Sequence, residues 1–152
     1  MADNSQIQEI RRRVDDVLAT RHDELYGAVR TCVANVLAID ASKVTPDASL
    51  IEDLGAESID FLDLVFQLET VYGVKIPRDG IRVAVQEGLS DGFESAGVLT
   101  DAALERLRIL MPEVPAARIA PGLKTHQIPS LFTAETFVRL VGWRLSEREV
   151  EV

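Results

Sequence analysis

Apolar positions recur along this chain at helical intervals rather than in the strict alternation of strands. Ile7, Ile10, Val14, Val17 and Leu18 follow a Ser5-x-x-Gln8 capping pattern, which predicts a helix over roughly residues 6–18. Thr20-x-x-Asp23 gives a second start signal, ahead of a stripe at Leu25, Val29, Val33, Val36 and Leu37. The pattern leaves open whether these are two helices or one. Residues 39–57 hold no period and contain Pro46 and Gly55. A loop of that length inside a compact domain is usually functional, and Leu50, Ile51 and Leu54 are available to pin it to a core. A further helix starts near Ser58, with Asp60, Asp63, Gln67 and Thr70 as its polar stripe. Ile59, Phe61, Leu62, Leu64, Val65, Phe66, Leu68 and Tyr72 fill the remaining arc, which is wider than one neighbouring helix requires. Gly73 and Pro77 end it. Beyond Pro77 the pattern weakens until Thr100, which caps a helix carrying Leu104, Leu107, Ile109 and Leu110 up to Pro112. "PEVPAARIAPGLKTHQIP" reads as an extended connection, and Thr133 starts a last helix with Ala134, Phe137, Val138, Val141 and Leu145. The chain is predicted to be all-α.

Composition narrows the function. With 152 residues and 47% hydrophobic content, the chain can bury a core without metal or disulfide staples. Aromatics make up only 5%, so that core is mostly Leu, Val, Ile and Ala. A net charge of −9 argues against a general nucleic-acid binder and favours partners with basic patches. Cys32 is the only cysteine; set among Val29, Val33 and Val36, it reads as a small buried hydrophobe. "MADNSQIQEIRRR" lacks the apolar centre of a signal peptide, and no apolar run is long enough to span a bilayer. A cytoplasmic protein with no stable membrane insertion is expected. His22 and His126 have no metal-ligand spacing, so no metal is expected. Trp143 is expected to pack against or cap the last helix.

Ser58 is the candidate for chemistry. As a catalytic nucleophile it needs a base and an orienting group. The glycines of a nucleophile elbow are absent, since Ala56 and Asp60 stand two residues either side. Neither histidine sits in a recognisable motif, so no catalytic residue is assigned. As an attachment point, Ser58 would set an esterified phosphate beside the backbone amides and positive end of a helix. Gly55 lets the chain turn there and leaves room for another protein. The plain alternative is that Ser58 is a helix N-cap, and local physics alone favours that.

The run "SLIEDLGAESIDFLDLVFQLETVYGVKIP" resembles the acyl carrier protein family. Asp53, Leu54, Gly55, Ser58, Asp60, Asp63, Leu64, Val65, Leu68, Glu69, Ile76 and Pro77 match its central motif, and "VTPDASL" and "LFTAETFVRLV" look like its loop and last helix. The resemblance covers roughly residues 25–80 and 130–145. Glu57 replaces the usual Asp before the serine, and Ile59 the usual Leu. About fifty residues between Ile81 and Leu131 stand where the family has a short helix, and an extra segment precedes residue 24. "DFLDLVF" is similar to carriers of very long fatty chains for lipid A. The resemblance implies a four-helix bundle: an N-terminal helical extension at 1–24, then a carrier-like domain at 25–152 with a partly helical insert at about 81–130.

The resemblance further implies that Ser58 bears 4′-phosphopantetheine, added from coenzyme A by a phosphopantetheinyl transferase. The arm's thiol would hold an acyl group for acyl-transfer and chain-elongating enzymes of fatty-acid, lipid or polyketide synthesis. The chain itself is then a non-catalytic carrier. Phe61, Leu64, Val65 and Leu68, with Phe137 and Val141, are the expected acyl sleeve, where each buried methylene contributes about 0.8 kcal/mol. Glu57, Asp60, Asp63 and Glu69, bordered by Ile59, Leu62 and Phe66, are the expected docking surface. The alternatives are an ordinary core, a solvated helix face, and an unmodified carrier-like adaptor that binds a protein through its acidic helix. If the acids dock the transferase, reversing Asp60 and Asp63 to Lys slows modification without unfolding the chain. Unchanged modification kinetics would count against that role.

Overall fold

A computed structural model describes residues 4–76, 79–89 and 92–150. Its framework is α1 (Ser5–Leu37), α2 (Ser58–Tyr72), α3 (Gly80–Gln86), α4 (Asp101–Leu110) and α5 (Ala134–Val150). Among the described residues the fold is all-α apart from a small hairpin, in which β1 (Glu94–Ser95) pairs antiparallel with β2 (Val98–Leu99). Ala96 (φ 53) and Gly97 (φ 81) make its turn; both take the left-handed conformation that suits the twist of a two-residue hairpin loop.

The two N-terminal stripes form one helix. Neither capping pattern is used: Asn4 precedes the first turn, and Thr20 and Asp23 lie inside α1. Nothing between them breaks a helix; Arg21 pairs with Glu24 at 2.9 Å and the buried face runs on from Val14 and Val17 to Leu25 and Val29. At 33 residues α1 is about 50 Å long. Helix α5 packs along it, and α2 and α4 lean against it as well. The α1–α5 approach is close at Gly142, where an added Cβ would stand 3.3 Å from Leu18 Cδ2.

The segment between α2 and α5 is folded onto the bundle. Leu104, Leu107, Leu110 and Met111 are buried, and Thr100 caps α4 by accepting from the Ala103 amide at 3.2 Å. Arg106 is buried, and its guanidinium donates to the Val85 carbonyl (3.1 Å), the Glu87 carbonyl (2.6 Å) and Asn4 Oδ1 (3.0 Å). One side chain thus ties α4 to the end of α3 and the start of α1. The proline-rich connection is not simply extended, as expected from its prolines. It forms tight 3-10 turns at Ala116–Arg118 and Thr125–Leu131.

Glu113 fastens this segment to α5. It accepts from the Thr136 hydroxyl at 2.6 Å and faces Arg139 at 3.8 Å, while Arg139 reaches Asp15 of α1 at 3.0 Å. Burial pushes the Glu113 carboxyl above the ordinary glutamate value of 4.5, against the opposing pull of Thr136 and Arg139. The folded chain therefore holds that proton more tightly than the unfolded chain. The resulting stability is complete below 4.5 and is lost as pH rises through the raised value. Glu113→Gln mimics the protonated form, so urea unfolding should show the variant gaining on the wild type as pH rises from 4.5 to neutrality. A constant gap across that range contradicts this.

Candidate functional site

The loop ahead of α2 is held at several points. Leu50 is buried, its amide donates to the Phe132 carbonyl at 3.0 Å, and Ser49 bridges to Thr133. Asp53 accepts from the Ser49 amide at 2.8 Å, and the Ala56 amide donates to the Leu50 carbonyl at 2.8 Å. Ile51 and Leu54 pack against the core, as expected of the apolar residues in this loop. Gly55 takes a left-handed φ of 76 with open space around its Cα, so the chain can turn there and leave the approach to Ser58 clear.

Ser58 is not the cap of α2. Glu57 holds that position in extended backbone (φ −106, ψ 165), and Ser58 is the first helical residue. Asp60 Oδ2 accepts from the Glu57 amide at 2.8 Å, and the Asp60 amide donates to the Glu57 carbonyl at 2.9 Å. The helix start is satisfied by its acidic neighbours. Ser58 is exposed, and among the described residues its hydroxyl makes no hydrogen bond. The first amides of α2 have no intrahelical acceptor and suit a phosphate ester on that oxygen.

The expected docking residues separate by structural role. Ile59 (62% exposed), Leu62 (39%) and Phe66 (68%) stand out on one face of α2, with Asp63 and Glu57 exposed beside them. Asp60 is half-buried and engaged in the helix start. Glu69 is also half-buried; its carboxylate accepts from the Ile76 amide at 2.7 Å and steadies the chain leaving the helix.

The expected sleeve residues lie inward. Leu64, Leu68, Phe137 and Val141 are buried, and Phe61 and Val65 half-buried. Phe61 meets Phe137 edge-on at 5.6 Å and stacks on Phe132 at 5.8 Å. Phe132 has no signal in the sequence, where it sits between Leu131 and Thr133 without a period of its own. Beside Ala56, Phe61 and Leu64 is a crevice of about 10 Å³, room for about one water. A larger cavity of about 340 Å³ lies elsewhere, between α1, α3 and α5, lined by Ile10, Ile76, Val83, Ala84, Leu140 and Trp143. Cys32 is buried and its thiol is pushed up by that burial, as an inert core residue should be. Among the described residues no side-chain cluster could hold a metal ion, and no helix is long and apolar enough to cross a membrane.

Ser58 is thus an accessible serine at the amino end of an apolar, acid-flanked helix, and the comparisons with known proteins supply the class. A family model described as a phosphopantetheine attachment site matches residues 27–81. The chain is 43% identical over 54 residues to an acyl carrier protein of Thermotoga maritima, covering 36% of this chain and 67% of that one. It is 38% identical over 64 residues to the acyl carrier protein of Helicobacter pylori, covering 42% and 82%. Acyl carrier protein AcpXL of Brucella melitensis is 38% identical over 63 residues, covering 41% and 68%. No solved structure matches. The chain belongs to the acyl carrier protein family, whose members carry groups rather than catalyse and whose prosthetic group is 4′-phosphopantetheine.

Because Asp60 starts the helix and Asp63 does not, the two acids respond differently to truncation. Asp60→Ala should cost about 1 kcal/mol of stability. Asp63→Ala should stay within about 0.5 kcal/mol. Denaturant unfolding compares them, and equal losses would refute the assignment.

Proposed function

We propose that Ser58 is the residue that accepts the 4′-phosphopantetheine arm, and that the chain presents an acyl cargo to enzymes of fatty-acid, lipid or polyketide synthesis. The observation that carries this reading is the unengaged, exposed hydroxyl at the first position of α2, with capping left to Glu57 and Asp60. In modification, Ser58 Oγ bonds to the phosphorus of coenzyme A that bears the pantetheine. The bond from that phosphorus to the adenosine bisphosphate oxygen breaks, and the hydroxyl proton passes to a base on the transferase. The arm's thiol supplies the thioester chemistry.

Ile59, Leu62 and Phe66, exposed beside Asp63 and Glu57, suit a transient interface with an apolar centre and partners of positive rim. Phe61, Leu64, Val65, Leu68, Phe137 and Val141 would take the acyl chain only once the helices part, because the crevice beside them is about 10 Å³. Residues 1–24 and 81–130 are additions to the family core in this reading, supported by a family match that spans 27–81. The cytoplasm is the proposed location.

Incubation with coenzyme A and a broad-specificity phosphopantetheinyl transferase tests the assignment. Intact mass should rise by one phosphopantetheinyl group in the wild type and not in Ser58→Ala. An unmodified wild type that still binds a protein through α2 would favour the adaptor instead. Asp63→Lys should slow the gain with stability unchanged. It is a cleaner probe than reversing Asp60, which also breaks the helix start.

A further inference from the structure

We propose that Arg118 is a positioning residue for the modification of Ser58, so that the inserted segment helps set how the serine loop is presented. The proposal rests on Ser58 being the attachment point. Arg118 closes the 3-10 turn Ala116–Arg118, well beyond the residues 27–81 that match the family model. Its Nη2 donates to Glu52 Oε2 at 2.8 Å and to the Ser130 carbonyl at 3.2 Å. The same carbonyl accepts from Ser49 Oγ at 2.9 Å, and Ser49 Oγ accepts from the Glu52 amide at 3.1 Å. Arg118, Glu52, Ser49 and Ser130 thus close a ring of hydrogen bonds around the start of the loop that leads to Ser58.

The ring is anchored at both ends. Ser49 is buried, and the Asp53 and Leu54 amides donate to its carbonyl at 2.9 and 3.2 Å. On the other side, the Arg118 amide donates to the Pro115 carbonyl at 2.9 Å. The next residue, Ile119, is buried, and its carbonyl accepts from Arg108 Nε of α4 at 2.9 Å. Arg118 therefore projects from a fixed turn, not from a loose one. Downstream of the ring, Gly55 is left-handed and unhindered, a natural joint between the clamped loop and Ser58. Releasing Arg118 frees Glu52 from its partner on the insert and lets the loop sample positions in which Ser58 meets a transferase less often.

The electrostatics give the opposite reading a distinct signature. If Glu52 were a free docking acid that Arg118 merely masks, removing the arginine would speed modification. If Arg118 clamps the loop, removal slows it.

The test uses the full chain with coenzyme A and the transferase, following intact mass over time at several carrier concentrations. Arg118→Ala should lower kcat/KM for the carrier about threefold to tenfold, the range expected for one partly exposed ion pair plus one carbonyl bond. Final conversion should remain complete, because each molecule stays folded and competent. Arg118→Lys should recover part of the rate, and adding Glu52→Gln to Arg118→Ala should change it little further. Hydrogen exchange at the amides of residues 53–56 should quicken in Arg118→Ala. An Arg118→Ala rate at or above wild type overturns the proposal. So does incomplete final conversion with an unchanged rate for the convertible fraction, which marks a folding defect. A wild type that gains no mass overturns the Ser58 assignment itself, and this proposal with it.

Discussion

Helix α2 begins at Ser58 because the Glu57 amide is taken by the Asp60 carboxylate, and everything proposed for the serine depends on that bond. A serine at the cap spends its oxygen on an amide of the first turn. Shifted one position inward, the same residue has an uncommitted oxygen, backbone amides beside it and a glycine-jointed loop behind it. The two carboxylates nearest the serine are placed differently: Asp60 turns toward the backbone, and Glu57 is exposed.

Around that start the chain is braced by contacts between residues far apart in sequence. A single long α1 gives α5 a surface along much of its length. Arg106 ties α4 to the start of α1 and the end of α3, and Glu113 joins the segment after α4 to α5 through Thr136 and Arg139. Such buried polar fasteners are demanding, since a missing partner leaves a desolvated charge. The segment after α4 also reaches the serine loop, where Arg118 meets Glu52.

Much of this was legible in the sequence where a local rule and the tertiary fold agreed. Thr100 and Thr133 mark the starts of α4 and α5, Gly73 in left-handed backbone closes α2, and the apolar positions of α2 divide into a buried and an exposed arc. The misreadings arose where the deciding contact was distant. Thr20 and Asp23 look like a cap, yet the continuous face of α1 against α5 outweighs their preference. The hairpin has only two residues per strand, too few to show a period, and rests on Ala96 and Gly97 taking positive φ. The turns among the prolines depend on buried Ile119 and Ile128 rather than on local pattern. The bond from the Ile76 amide to Glu69, by contrast, has no signal in the sequence at all. Nothing about Arg106 or Arg118 in the sequence announces its partners.

The central claim concerns one oxygen, and fragmentation mass spectrometry of the protein purified from its own source addresses it most directly. The account predicts a peptide spanning residues 53–69 whose fragment ions place a phosphopantetheinyl group, with or without acyl cargo, on Ser58. A peptide found only unmodified, or an adduct located on another residue, would contradict it.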